Sequence, residues 1–189
     1  MVRTWLITST TYGTWLPGDR RGFVGTVRDY RDGDEAIATG KRTRHNQHGT
    51  ELDRDLDGLH RASERLLKCQ PIWLTLAQAE AVAPQFRETA AHRRWGLHAL
   101  AIMANHFHVV VTSPAATPSA HVLRDFKSYA SRTLSVTWGK PASGTWWTES
   151  GSRRALPHDR AVEAAVRYVR NQYQPLVVWV PAPTPERGA

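Results

Sequence analysis

Cysteine is nearly absent. The chain of 189 residues carries one, Cys69, which excludes an internal disulfide and a multi-cysteine zinc site. A reducing, cytoplasmic setting is the simplest expectation. Long apolar runs are absent too. No stretch approaches the roughly 20 residues needed to cross a bilayer, and the opening Met1-Val2-Arg3-Thr4-Trp5 lacks the apolar segment of a secretion signal. Negative charge is scarce: Asp and Glu total 17 against 25 Lys and Arg, a net charge of +8. A compact chain that basic points to a polyanion, and without a membrane segment the expected polyanion is nucleic acid. What the sequence holds in excess is tryptophan, eight residues, which either fill a core or offer flat faces to bases.

The length suits one domain that buries roughly two thirds of its unfolded surface. Residues 1–180 are expected to form it, with a Pro-rich tail over 181–189. Trp5 to Thr11 is β-branched and aromatic, a first strand. From Arg20 to Asp57 no periodicity holds, and Gly, Asp and Arg dominate around a basic patch, Lys41-Arg42-Thr43-Arg44-His45. That is longer than an ordinary connection, so 20–57 reads as an irregular insertion. Thr75 caps a helix from Leu76 to His92 with Pro84 inside it. Leu97 to Met103 and His106 to Thr112 form a hairpin around Ala104-Asn105. Thr117-Pro118 opens a helix to Ser135, with threonine at the cap and proline at the first helical position. Thr145 to Thr148 reads as a short strand, Asp159 as the cap of a last helix to Gln172, and Leu176 to Val180 as a final strand. The order predicts an α+β fold, a ferredoxin-like βαββαβ antiparallel sheet with helices packed on one face.

Two local patterns bear on chemistry. In His106-Phe107-His108 the period of a strand puts both imidazoles on one face and Phe107 on the other. Two imidazoles so placed either share a divalent cation or lie half-exposed on a solvated sheet. On the following helix Asp125, Tyr129 and Thr133, spaced by four, share a face. Leu123, Phe126, Ala130 and Leu134 make a neighbouring apolar stripe. Tyr129 sits at its edge, either as a core tyrosine or as a hydroxyl reaching toward the sheet.

The strand Ala104 to Val111, the helix carrying Lys127-Ser128-Tyr129 and the turn Thr11-Tyr12-Gly13-Thr14-Trp15 resemble the single-tyrosine transposases of the HUH endonuclease superfamily. The nearest groups are the small insertion-sequence transposases and the REP-associated tyrosine transposases. The resemblance covers the first strand and then about residues 74–180. It implies a ferredoxin-like sheet and metal-dependent cleavage and rejoining of single-stranded hairpin DNA through a 5′-phosphotyrosine intermediate. It implies His106 and His108 as ligands of Mg²⁺ or Mn²⁺ and Tyr129 as nucleophile, converging on one pocket. Tyr12, Tyr30, Tyr168 and Tyr173 are weaker candidates for the nucleophile, and Tyr168 is the one to test second. The family takes a third ligand, commonly glutamine or asparagine, about one turn after the tyrosine. After Tyr129 that position is Thr133; Asp125, one turn before, is the better oxygen ligand.

On this reading Arg124, Lys127, Arg132, Arg153, Arg154, Lys41, Arg42 and Arg44 are the cations expected on DNA, and Trp146 and Trp147 a possible stacking surface. A homodimer is compatible with the family. A second reading is a domesticated sequence- or hairpin-specific DNA-binding protein of the same fold with little or no cleavage. A third, an unrelated RNA-binding sheet, predicts exposed aromatics where this chain has two histidines.

Overall fold

The computed structural model describes residues 1–19, 25–28, 42–45 and 57–182. The chain divides into two compact units, Met1–Thr14 with Pro71–Ala189, and Trp15–Gln70. The first begins with strand β1 (Val2–Thr10). The second contains an antiparallel pair, β2 (Gly25–Arg28) and β3 (Arg42–His45), and helix α1 (Asp57–Arg65). A strand pair thus occupies part of the stretch expected to be irregular, and β-branched Thr26, Val27 and Thr43 favour it. Arg42 and Arg44 lie on β3; Lys41 and Tyr30 fall outside the described residues.

The first unit continues with α2 (Leu76–His92), β4 (Gly96–Ile102), β5 (His106–Pro114), α3 (Ser119–Trp138), β6 (Ser152–Leu156), α4 (Asp159–Arg170) and β7 (Val177–Trp179). A capping box fixes the start of α2: Gln78 N–H donates to Thr75 Oγ1 at 3.3 Å, and Thr75 N–H to Gln78 Oε1 at 2.9 Å. Two caps differ from expectation by one residue. Pro118, not Thr117, is the N-cap of α3, without a side-chain bond. His158 rather than Asp159 caps α4, its Nδ1 accepting from Ala161 N–H.

The sheet is antiparallel, in the order β6-β1-β5-β4-β7. Its first four strands have the arrangement of a split βαβ unit. The strand expected at 145–148 reduces to one bridge, Thr11 to Trp147, and the edge strand proper is Ser152–Leu156.

Each face of β5 meets a different helix layer. Phe107, Val109 and Val111 join Ile7, Leu100 and Ile102 beneath α2 and α3. Phe86 packs edge-on against Phe107 and Phe126, at centroid distances of 4.8 and 5.1 Å. Fully burying one such ring contributes about 1.5–3 kcal/mol. Trp147 stands edge-on to Phe107 at 5.2 Å, and Trp146 donates its indole N–H to Ser135 Oγ at 3.0 Å. Both tryptophans are buried, so they are core and not a stacking surface. On the other face Ala99, Ala101, Met103, Val110 and Leu156 pack with Ala165 and Val169 of α4. The helices therefore do not all lie on one side. The second face has its own apolar patch, and the small stripe of α4 covers it.

Candidate active site

His106 and His108 lie on the α4 side of β5. They share that face with Val110, which packs in the α4 cluster, while Phe107 and Val109 belong to the other. Their ring centroids are 4.8 Å apart, nearly perpendicular. Each Nδ1 is held by a neighbour: His108 Nδ1 lies 2.6 Å from Thr8 Oγ1, its partner in the β1–β5 register, and His106 Nδ1 lies 2.6 Å from Asn105 Oδ1. Since Oδ1 only accepts, a neutral His106 carries its proton on Nδ1 and presents its lone pair at Nε2. Burial, and secondarily repulsion from His106 when that ring is protonated, push the His108 pKa down to about 3. His108 is thus a neutral imidazole throughout the physiological range, the form that binds a metal.

Tyr168, on α4, is the tyrosine at this face. Its ring centroid lies 5.2 Å from that of His108, and its hydroxyl oxygen 3.5 Å from His108 Nε2, the outer limit of a hydrogen bond. One turn later Gln172 donates its side-chain N–H to the Tyr168 carbonyl oxygen at 2.9 Å. Among the described residues no group of three or more His, Cys, Asp or Glu could hold a metal ion. The structure brings together two imidazoles here, with the Tyr168 hydroxyl beside one of them.

Tyr129, Asp125 and Thr133 are not part of it. They stand on α3, whose buried Phe126, Ala130 and Leu134 pack with Phe107 and Val109, across the sheet from the histidines. Tyr129 is half-buried, with the Arg132 guanidinium 5.4 Å from its ring centroid. Asp125 is paired with Arg93 Nη2 at 2.9 Å and Arg124 Nε at 3.5 Å, a tie between α2 and α3. Thr133 donates its hydroxyl to Gln85 Oε1 at 2.9 Å, a second tie between the same helices. The expected convergence of His106, His108 and Tyr129 is replaced by His106, His108 and Tyr168. Thr8, Asn105 and Gln172 are additions. Gln172 had a sequence signal, a glutamine four residues after a tyrosine; Thr8 had none, because its partnership depends on strand register.

The basic side chains divide between the two faces. Arg153 pairs in register with Ile7 and Arg154 with Leu6, so adjacent arginines of β6 project to opposite sides. Arg153, Arg124 and Lys127 line a cleft of about 530 Å³ between α3 and the segment before β6. Lys127 Nζ donates to the carbonyl oxygens of Thr148, Glu149 (3.0 Å) and Ser150 (3.4 Å). At Gly151 an added Cβ would lie 2.6 Å from the Thr8 carbonyl oxygen and 3.0 Å from Leu123 Cδ2. Only glycine lets the chain pass this close to the strand that orients His108.

Burial pushes the Lys127 pKa down to about 8, against a smaller opposing pull from Glu149. Between pH 8 and the ordinary value of 10.5 the folded chain has shed this proton while the unfolded chain keeps it. Folding stability therefore gains with rising pH in that window. Urea unfolding at several pH values should show this gain in the parent relative to Lys127→Met. Parallel curves for the two would exclude it.

A family model described as "Transposase IS200 like" matches residues 69–172, more than half of the chain. No curated protein matches it. Several solved structures resemble it, two of them with the following likeness. One is a REP-associated tyrosine transposase bound to a REP hairpin, 11% identical, covering 89% of this chain and 64% of that one with a TM-score of 0.45. The other is a provisionally named transposase from Deinococcus radiodurans r1, 12% identical, covering 92% of each chain with a TM-score of 0.44. The chain thus spans less than two thirds of the first structure. No described helix is long and apolar enough to cross a membrane.

Proposed function

This chain belongs to the IS200-like transposase family, and on that premise we propose that it cuts and rejoins single-stranded DNA, with Tyr168 as nucleophile and His106 and His108 as ligands of Mg²⁺ or Mn²⁺. The observation that supports this reading is the placement of the Tyr168 hydroxyl 3.5 Å from Nε2 of a buried, neutral His108.

The donor chemistry fits a divalent cation. Asn105 fixes the tautomer of His106, and Thr8 engages Nδ1 of His108, the outer contacts that orient metal-binding imidazoles. Gln172, just past the end of α4, would offer an amide oxygen, and DNA phosphate oxygens or water would fill the remaining positions. When bound, the cation neutralises charge on the scissile phosphate and polarises it. The Tyr168 oxygen attacks phosphorus as its phenol proton passes to solvent. The bond from phosphorus to the 3′ oxygen breaks, and that oxygen takes up a proton to leave as a 3′-OH. The product is a 5′-phosphotyrosine. A second 3′-OH reverses the step and joins strands. Arg124, Lys127, Arg132, Arg153, Arg154 and the insertion residues Lys41, Arg42 and Arg44 supply the phosphate-binding charge.

The test is to incubate the protein with labelled single-stranded hairpin DNAs from the sequence flanking its own gene, with Mg²⁺ or Mn²⁺. Trapped adduct is digested and the modified peptide located by mass spectrometry. The label is expected on Tyr168 and absent when EDTA is present. Label on Tyr129 overturns the nucleophile assignment. A second reading, a hairpin-binding protein without cleavage, is favoured by the lack of a third ionisable ligand among the described residues. It predicts tight binding with no adduct.

A further inference from the structure

We infer that the turn after β1 is a positioning device for His106. Two buried threonines there, Thr11 and Thr14, hold Asn105 by its main chain, so that Asn105 Oδ1 keeps the His106 ring set with Nε2 toward the cation. This inference rests on the metal-binding reading above and adds to it the residues that support Asn105.

The two-residue turn between β4 and β5 is held by both of its carbonyl oxygens. Ala104 O accepts from Leu74 N–H at 2.6 Å, and Asn105 O from Thr11 N–H at 2.8 Å. The Thr14 hydroxyl is shared between the carbonyl oxygens of Asn105 (3.1 Å) and Thr11 (3.0 Å). Thr11 gives its own hydroxyl proton to Ile72 O at 2.6 Å, and Ile72 N–H donates to Tyr12 O at 2.9 Å. Gly13, with a φ of 74°, takes the left-handed step that folds Thr14 back onto Thr11. Tyr12 N–H donates to Trp146 O at 2.9 Å, and Thr11 bridges to Trp147. The turn is thus anchored to two buried tryptophans.

Thr11 and Thr14 are themselves buried. A buried hydroxyl adds little net stability, because its hydrogen bond mainly offsets its own desolvation. What the pair adds is direction. A pinned carbonyl fixes the backbone of Asn105, and its Oδ1 then lies 2.6 Å from His106 Nδ1. An Asn105 free to turn could present its amide N–H₂ instead. That donor would favour the tautomer protonated at Nε2, which has no lone pair there for a cation. His108 takes its restraint from the neighbouring strand, through Thr8. The register partner of His106 is Thr10, whose hydroxyl lies 2.9 Å from Thr148 Oγ1. The turn, rather than β1 itself, supplies the acceptor at His106 Nδ1.

The experiment uses the full chain, metal-free, with isotope-labelled histidine at about pH 8, above the ordinary imidazole range. Nitrogen NMR shifts read the tautomer of each ring, and the His106 signals are assigned by their loss in His106→Gln. The parent is expected to carry the His106 proton on Nδ1. Thr11→Val with Thr14→Val keeps the shape and removes both hydroxyls. It should mix the two tautomers and raise the Mn²⁺ Kd, by calorimetry, about tenfold, the low end for loss of an outer support. Thr11→Ser with Thr14→Ser should restore both readouts. Thr89→Val is the control. That buried hydroxyl donates to Gln85 O at 2.8 Å within α2, and its loss should move neither readout. If the double variant does not fold, Thr14→Val alone leaves the Thr11–Ile72 bond in place and should shift the tautomer mixture the same way. Unchanged His106 shifts in a folded variant overturn the inference, as do equal shifts in Thr89→Val, a parent protonated at Nε2, or mixed tautomers with unchanged Mn²⁺ affinity. A parent that binds no Mn²⁺ discards the metal reading, and with it the use of the turn, even where the tautomer signals respond.

Discussion

Tyr168→Phe should abolish the covalent protein–DNA adduct, while Tyr129→Phe leaves it at the parent level. Removing a covalent nucleophile eliminates a pathway rather than weakening a contact, so the loss should be at least on the order of 10³-fold. The substitution is structurally mild. Tyr168 is 51% exposed, and phenylalanine keeps the ring that lies 5.2 Å from His108. Stability should change by no more than about 0.5 kcal/mol. Mn²⁺ titrations by calorimetry should show the cation still bound, because His106, His108 and Gln172 remain. Denaturing gels of labelled hairpin DNA read the adduct directly. An adduct that survives Tyr168→Phe and disappears in Tyr129→Phe would reverse the assignment. That would require α3 to leave the face on which Phe126 and Ala130 are buried.

The contrast between the two tyrosines shows how far the sequence could be read. The histidine pair, the hairpin that carries it and the helices α2, α3 and α4 were legible, because they depend on local periodicity and caps. Thr75 with Gln78 marks a helix start whatever surrounds it. The choice of tyrosine depends on which sheet face each helix covers, and local pattern does not state that. A clue was nonetheless present. The stripe of α3, with Val122, Leu123, Phe126, Ala130 and Leu134, is bulky and matches the wholly apolar face of Phe107, Val109 and Val111. The inward residues of α4, Ala165 and Val169, are small and match a face shared by alanines and histidines. β6 was missed for another reason. Ser152-Arg153-Arg154-Ala155 is exposed on an edge and carries no alternation of apolar and polar residues to betray a strand.

Phe86→Ala carries the largest expected effect on stability and separates folding from chemistry. Phe86 is fully buried on α2 and touches Phe107 of the sheet and Phe126 of α3, each nearly edge-on. Truncation leaves a cavity where three elements meet and removes both aromatic contacts, so about 3–5 kcal/mol should be lost. That is a large share of the 5–15 kcal/mol typical of a folded domain. Urea unfolding should show a lower midpoint with an unchanged slope, and the melting temperature should fall by roughly 10 °C. The cavity opens on the face away from His106 and His108, and Thr8 and Asn105 still hold both rings. At low temperature the folded fraction should therefore bind Mn²⁺ as the parent does and form adduct on Tyr168 at a similar rate. If Phe86→Ala cost less than about 1 kcal/mol, the aromatic cluster would not be the keystone of this face. If adduct formation collapsed while the fold persisted, the sheet would not insulate the two faces, and the placement of chemistry on the α4 side alone would have to be abandoned.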